Sequence, residues 1–275
     1  MKLYDGKVKI GIVGCGAIGS RIAKSICKEL RKFCYVSGLY DIDQKKTRRL
    51  EKNLKLKKVA TDALTPLIKN CDCLVEAVNA ESTREIIEQA LQSQKSVLAM
   101  SVGKLLKAPD LFDLARKNKC ALLLPSGAIA GLDAIKAASL VHVDKITLIT
   151  RKPPVSFQNN PYLKKNRIDL TKIKEETLLF RGDVQSAVKW FPQNINVAAT
   201  LFFASQLKRN ITIEIYTCPD YKMNSHEIEM IGDFGRLFTR TDNIVCPDNP
   251  KTSYLAVLSG IQTLKQYCTG ILIGT

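Results

Sequence analysis

The stretch KVKIGIVGCGAIGSRIAKSI, Lys7 to Ile26, decides how the first half of the chain folds. It joins an apolar run, Val8–Val13, to three glycines spaced GxGxxG (Gly14, Gly16 and Gly19) and then to a helical repeat. Glycines at that spacing are common by chance, so the context has to give them meaning. A buried strand ending at Val13 needs a tight turn, which Gly14 permits. Gly16 has no Cβ to obstruct a pyrophosphate, and Gly19 lets the following helix pack close to the strand. Ile18, Ile22, Ile26 and Leu30 recur every fourth residue, one stripe facing a sheet. The helix start at Ala17 and Ile18 then turns unpaired N–H groups toward phosphate. Asp41, 22 residues past Gly19, closes a second apolar run at the place where an acid binds the adenosine ribose. The segment reads as a dinucleotide cradle, and Asp41 favours NAD because a carboxylate repels a 2′-phosphate. Lys45, Lys46, Arg48 and Arg49 lie just beyond it and leave NADP possible.

Working outward, apolar runs alternate with amphipathic stretches: Cys34–Tyr40, Cys73–Val78, Lys95–Met100 and Cys120–Pro125, with helical patterns such as Ser82–Ser93 between them. Short, almost wholly apolar strands alternating with helices predict a parallel, doubly wound sheet covered on both faces. After Pro125 the rhythm changes. VDKITLIT, ETLLF, NITIEIYT, HEIEMIG and GRLFTRT read as strands of an antiparallel or mixed sheet, interrupted by helices at DVQSAVKWF and NVAATLFFASQL. Lys152–Asn166, rich in Pro, Asn and Lys, reads as an exposed loop. A last helix, Ser253–Tyr267, carries Leu255, Leu258, Ile261 and Leu264 and could return to the first sheet. The expected division is 1–126 with 247–275 as the dinucleotide domain, and 127–246 as a central α+β domain.

Composition narrows the classes. No apolar run approaches the ~20 residues a membrane span needs, and the N-terminus lacks the apolar stretch of a signal peptide, so a cytoplasmic protein is expected. The nine cysteines sit in apolar segments without a metal-binding or redox spacing and read as reduced core thiols; no metal site is expected. The net charge of +16 suits anionic small ligands; the basic run Lys45–Lys58 has helical periodicity and no nucleic-acid motif accompanies it, so nucleic acid is an unlikely partner.

Nicotinamide chemistry needs a proton-exchanging group, and the chain has only His142 and His226. His142 sits in SLVHVDKI with nothing polar around it. His226 opens a strand, on the side shared with Ile228 and Met230, with Asn224 two residues earlier on the same side. That is either a core histidine or the floor of a polar pocket. LPSGAIAGLDAI turns through Ser126-Gly127-Ala128, where backbone can approach a ligand, and Asn194 and Asn196 precede a helix they could simply cap.

Taken together, GIVGCGAIGSRIA, LPSGAIAGLDAI, FPQNINVAAT, CPDYKMNSHEIEMIGDFG and PDNPKTSYLAV resemble the L-aspartate dehydrogenase family, in order and across nearly the whole chain. The resemblance implies a Rossmann domain completed by the C-terminal helix, and a central domain whose sheet bears the substrate site and supports a homodimer. It also implies NAD(P)-dependent oxidation of L-aspartate to iminosuccinate, feeding NAD biosynthesis or hydrolysing to oxaloacetate and ammonia. By the same resemblance His226 is the catalytic residue, and Ala128 and Asn196 contact the dinucleotide. Ser126, Gly127, Asn224 and Lys251 are the candidates for holding the substrate. Met223 stands where some relatives carry a second histidine. Rival readings are another amino-acid dehydrogenase or imine reductase, a semialdehyde-type enzyme using Cys218, and a non-catalytic NAD-binding regulator.

Overall fold

The computed structural model describes residues 6–78, 80–191, 195–206, 211–247 and 249–274, with the side chains of residues 195 and 249–251 outside the description. The chain divides into two compact units, Met1–Pro125 with Val257–Ile273, and Ser126–Ala256 with Gly274–Thr275.

The first unit is built as β1 (Val8–Val13), α1 (Ala17–Lys28), β2 (Cys34–Tyr40), α2 (Gln44–Asn53), α3 (Leu64–Lys69), β3 (Cys73–Glu76), α4 (Thr83–Gln92), β4 (Ser96–Ala99), α5 (Asp110–Lys117) and β5 (Leu122–Leu123). The strands form one parallel sheet in the order β2-β1-β3-β4-β5. Helical crossovers between strands force that parallel pairing, and sheets covered on both faces have apolar strands throughout. The β3 and β4 side chains are accordingly all buried. Ile22, Ile26 and Leu30 pack with Ile10, Ile12 and Val36 in one core, as the four-residue stripe predicts. The α2 lysines and arginines are exposed while Thr47 and Leu50 face inward.

The closing helix, α10 (Tyr254–Thr269), places Leu264 and Tyr267 in the same core. Its buried face is Val257, Gly260, Leu264 and Tyr267, which corrects the expected stripe: Leu255 is 37% and Leu258 40% exposed. A strict three-residue spacing drifts around a 3.6-residue helix, whereas mixed threes and fours hold one face. Gly260 is there for closeness, since a Cβ on it would lie 2.7 Å from Met100 Sδ.

The second unit runs α6 (Leu132–Ala138), β6 (Val143–Lys152), α7 (Pro161–Lys165), β7 (Thr177–Gly182), α8 (Val184–Trp190), α9 (Ile195–Ser205), β8 (Ile211–Thr217), β9 (Asn224–Gly232), β10 (Gly235–Asn243), β11 (Val245–Cys246) and β12 (Asn249–Ser253). Its main sheet has the order β10-β9-β6-β8-β7. It is mixed, not antiparallel, because β6 and β8 pair in parallel. The long connection through α7, β7, α8 and α9 carries the chain back to the starting edge before β8 is laid down. The β11–β12 hairpin groups residues 247–256 with this unit, against the expected boundary at 247. Its pairing and the Tyr254 N–H donated to Ile244 O (3.0 Å) tie those residues to β10's exit.

Lys152–Asn166 is not a plain loop. Lys152 ends β6, Asn160 caps α7 by accepting from Tyr162 N (2.8 Å), and Phe157 and Leu163 are buried. Tyr162 packs its ring against Phe180, Trp190 and Phe191. The apolar residues that the Pro- and Asn-rich composition masked anchor the segment.

Candidate active site

In the first unit the three glycines divide the labour as the strand–turn–helix mechanism requires. Gly14 has φ +94°, and a Cβ there would lie 2.5 Å from Ala77 O. A Cβ on Gly19 would lie 1.8 Å from Gly14 O. Both are demanded by the protein's own packing. A Cβ on Gly16 would meet nothing within 4 Å, so its absence serves whatever lies above the loop. Gly16 is also the N-cap of α1, supplies no side-chain cap, and no acid occupies the first turn at Ala17 and Ile18. An uncapped, uncompensated helix start beside open space fits a pyrophosphate.

Asp41 has the expected position after β2 but a different first task. It is 8% exposed, and its carboxylate accepts from Cys15 N–H (2.8 Å) and Asp43 N–H (2.9 Å). It therefore fixes the glycine turn to the end of β2. An ionised carboxylate has about four acceptor sites, so lone pairs remain for a ribose. Cys15, inside the turn, has its thiol pushed up to about 11, chiefly by burial, and is an inert packing residue.

Glu76 was missed by the sequence reading. It ends β3, is fully buried, and accepts from Ser101 Oγ (2.8 Å), Val78 N–H (3.0 Å), Thr83 Oγ1 (3.2 Å) and, on its second oxygen, Ser101 N–H (3.1 Å). It ties the β3 exit, which packs on Gly14, to the start of α4 and the end of β4. The sequence signal was an acid inside the apolar run CLVEAV, Cys73–Val78. Glu76→Gln turns an acceptor into a donor against these donors. Thermal unfolding should show a stability loss of about 1–3 kcal/mol, accompanied by weaker NADH binding in fluorescence titration.

In the second unit, register brings a polar cluster to one end of an otherwise apolar face. Paired residues share a face, so Ile146 with Met230 and Leu148 with Ile228 are followed by Thr150 with His226. The first four are buried core; then the face turns polar. His226 is 4% exposed and its Nδ1 lies 3.0 Å from Thr150 Oγ1. Burial, reinforced by the positive charge of Lys152, pushes its pKa down to about 3. In the free protein His226 is therefore neutral, where an unperturbed imidazole would titrate near 6.5. Lys152 keeps part of its surface open, yet desolvation pulls its pKa down to about 8.

The β9–β10 register places Thr241 opposite His226 and Asn243 opposite Asn224. Thr241 Oγ1 (2.7 Å) and Asn243 Nδ2 (3.2 Å) both donate to Ala128 O, and Thr239 Oγ1 donates to Ala130 O. The Ser126–Gly127–Ala128 turn, with Gly127 at φ +69°, is thereby held at the polar end of the sheet. Ser126, Gly127, Ala128, Asn224 and His226 thus come together. Asn243 is 3% exposed, and among the described residues none donates a hydrogen bond to its Oδ1. With Nδ2 committed to Ala128 and Thr241, that oxygen is a buried acceptor in want of a donor.

Asn196 lies exposed in the first turn of α9, while Asn194 and the side chain of Lys251 lie outside the described residues. His142 is exposed beside Asp144 (3.2 Å). Cys218 is buried after β8, a packing position. A cavity of about 700 Å³ opens between Pro154 and Thr171, but none of the expected site residues lines it. Thr150, Lys152, Thr241 and Asn243 escaped the sequence reading; alternation from Ile146 onward, continued to Lys152, was the available signal.

A family model for the NAD-binding domain of homoserine dehydrogenase matches residues 14–125, and one for the C-terminal part of aspartate dehydrogenase matches residues 133–267. An L-aspartate dehydrogenase of Methanosarcina barkeri is 40% identical over 98% of this chain and 100% of its own. The chain belongs to the L-aspartate dehydrogenase family. Another member, from Methanocaldococcus jannaschii, is 36% identical over 98% of this chain and 100% of its own. The aspartate dehydrogenase of Thermotoga maritima shares the fold at TM-score 0.71 and 22% identity, covering 97% of this chain and 99% of that one. Among the described residues, no helix is long and apolar enough to cross a membrane, and no group of acidic, Cys or His side chains could hold a metal ion.

Proposed function

We propose that the protein is an NAD-dependent L-aspartate dehydrogenase, with His226 as its acid–base residue. The observation that carries this reading is the buried, neutral His226 hydrogen-bonded to Thr150 at the polar end of the sheet. Membership of the family supplies the substrate. L-Aspartate loses a hydride from Cα and a proton from its amine, giving iminosuccinate, which water hydrolyses to oxaloacetate and ammonia. Bound at Gly14, Gly16, Ala17, Ile18, Gly19 and Asp41, the dinucleotide would supply the hydride acceptor.

The chain's own residues handle the proton and the orientation. With Nδ1–H donated to Thr150 Oγ1, His226 Nε2 is the basic nitrogen, and it takes the proton of the substrate amine. Imidazolium forming in so dry a place needs a compensating anion, which a dicarboxylate substrate brings with it. The unpartnered Asn243 Oδ1 is an acceptor for the same amine, and Asn224 and the Ser126–Gly127 backbone offer further polar contacts. Asp41 disfavours a 2′-phosphate; Lys45 and Lys46, exposed in the first turn of α2, make NADP a tolerated second cofactor. A homodimer belongs to the same reading. Leu178 and Phe238, exposed on the sheet face opposite His226, offer apolar contacts for a second copy.

The test is NADH formation from a panel of amino acids at alkaline pH. L-Aspartate alone should give a steady signal. Turnover of a different amino acid would favour the sister-dehydrogenase reading, and NADH binding without any turnover would favour a regulator.

A further inference from the structure

We propose that Asn243 makes the site select nitrogen over oxygen at the reacting carbon, so that L-aspartate is oxidised and the corresponding 2-hydroxy acid, L-malate, is refused; this rests on the dehydrogenase reading above.

Asn243 ends β10, and strand alternation sets its face. Thr239 opposite Ile228, Thr241 opposite His226 and Asn243 opposite Asn224 lie on one side of the sheet. Arg240 and Asp242 lie on the other, hydrogen-bonded to each other (3.1 Å). His226 is diagonal to Asn243 across the β9–β10 pair, a relation of about 7–8 Å between Cα atoms that lets one small substrate group meet both side chains. The amide's orientation is forced. Its Nδ2 lies 3.2 Å from Ala128 O, 3.1 Å from Thr241 Oγ1 and 3.4 Å from Thr241 O. The Thr241 hydroxyl gives its own proton to Ala128 O (2.7 Å) and so accepts from the amide. Turned over, the amide would set its oxygen against three acceptors. Oδ1 is thereby fixed as a buried acceptor to which no described residue donates.

Holding the Ser126–Ala128 turn does not account for the residue, because Thr241 by itself satisfies Ala128 O. An amide oxygen buried without a donor costs stability, and a leucine of similar size would not. A ligand that brings the donor accounts for it. The carboxylates of aspartate only accept, so its amine is the one group that can give Oδ1 a proton. Counting hydrogens then discriminates between substrates. Oxidation removes a hydride from Cα and one proton, which goes to His226. The nitrogen keeps at least one N–H after that loss, and its bond to Oδ1 strengthens as positive charge develops on the imine. A hydroxyl has a single proton. Once His226 takes it, the oxygen faces Oδ1 as acceptor against acceptor, with no hydrogen between them. A site built around a substrate N–H refuses the analogue that lacks it, because the site's own polar group is left unpaired.

Steady-state oxidation of L-aspartate and of L-malate by the full-length enzyme at saturating NAD tests this. Wild type should prefer aspartate by at least about 10³-fold in kcat/KM. Asn243→Leu should lower kcat/KM for aspartate by roughly 10- to 100-fold, as expected for losing a hydrogen bond to a charged group, with malate not lowered. Its melting temperature should be unchanged or higher, since the unpaired oxygen is gone, and its NADH affinity in fluorescence titration should stay within about two-fold. Asn243→Ser, whose hydroxyl can donate as well as accept, should narrow the preference by raising malate turnover. A purely structural role would not change the ratio of the two substrates. A ratio within about three-fold of wild type in Asn243→Leu overturns the proposal. If the leucine variant melts early, the same ratio in Asn243→Ser decides. NADH affinity falling together with aspartate turnover overturns it too, because the donor to Oδ1 would then be the nicotinamide amide. A wild-type enzyme that oxidises malate as well as aspartate overturns this inference alone, whereas one inert toward aspartate overturns the dehydrogenase reading first.

Discussion

Replacing His226 by Asn is expected to lower kcat on aspartate by about 10²- to 10⁴-fold, the usual worth of a positioned acid–base group. NADH affinity should be unchanged, because the glycine turn and Asp41 that would hold the nucleotide belong to the other compact unit. Stopped-flow turnover alongside fluorescence titration separates the two. A variant retaining most of its kcat would show that His226 is a core histidine bonded to Thr150 and nothing more. Stability should also change with pH in a way that identifies the residue. The folded pKa is about 3 against an ordinary 6.5, so above pH 6.5 both states are neutral and the residue costs nothing. As pH falls from 6.5 toward 3, the unfolded chain takes up the proton and the folded one does not, so stability is lost. At about 1.4 kcal/mol per unit of pKa difference, the loss reaches the order of a few kcal/mol. Thermal melts of wild type should therefore fall more steeply across this range than those of His226→Asn, which has no such proton to bind.

The second large effect separates two glycines three positions apart. Gly16→Val should abolish dinucleotide binding while leaving the melting temperature nearly unchanged. The new side chain enters space that the protein does not use, and the extended φ of −73° suits any residue. Gly19→Val should instead unfold or strongly destabilise the first unit, because its Cβ would lie 1.8 Å from Gly14 O and α1 must then lift off the sheet. Overpacking of this kind typically costs about 1–3 kcal/mol and more against backbone. Calorimetry with and without NADH reads both. Equal destabilisation by the two variants would mean that the open space above Gly16 has no ligand to serve.

Most of the first unit was legible in the sequence because its rules are local. A strand, a tight turn and a helix of adjacent residues leave their requirements in adjacent letters. Val8–Val13 and Cys34–Tyr40 have the bounds their apolar runs predict. Errors arose where a residue's neighbours are distant in sequence. The α10 stripe was assigned from spacing, but the sheet it meets selected Val257, Gly260, Leu264 and Tyr267. Lys152–Asn166 looked like loop because Pro and Asn dominate it; Phe157 and Leu163 are nonetheless buried, Phe157 with its ring against the distant Phe191.

By itself the sequence determined that a dinucleotide cradle opens the chain, that a second domain follows, and that His226 is the histidine to watch. The first two follow from residue type and short-range period; His226 was singled out by the resemblance to the family. Tertiary structure decided what surrounds that histidine. Thr150, Lys152, Thr241 and Asn243 reach it from β6 and β10, tens of residues away. Only strand register, which no local pattern records, turns those separate side chains into one polar site on a dry face. The same burial set the proton affinity of His226 and drew down that of Lys152, because desolvation is a property of the packed neighbourhood and not of the residue.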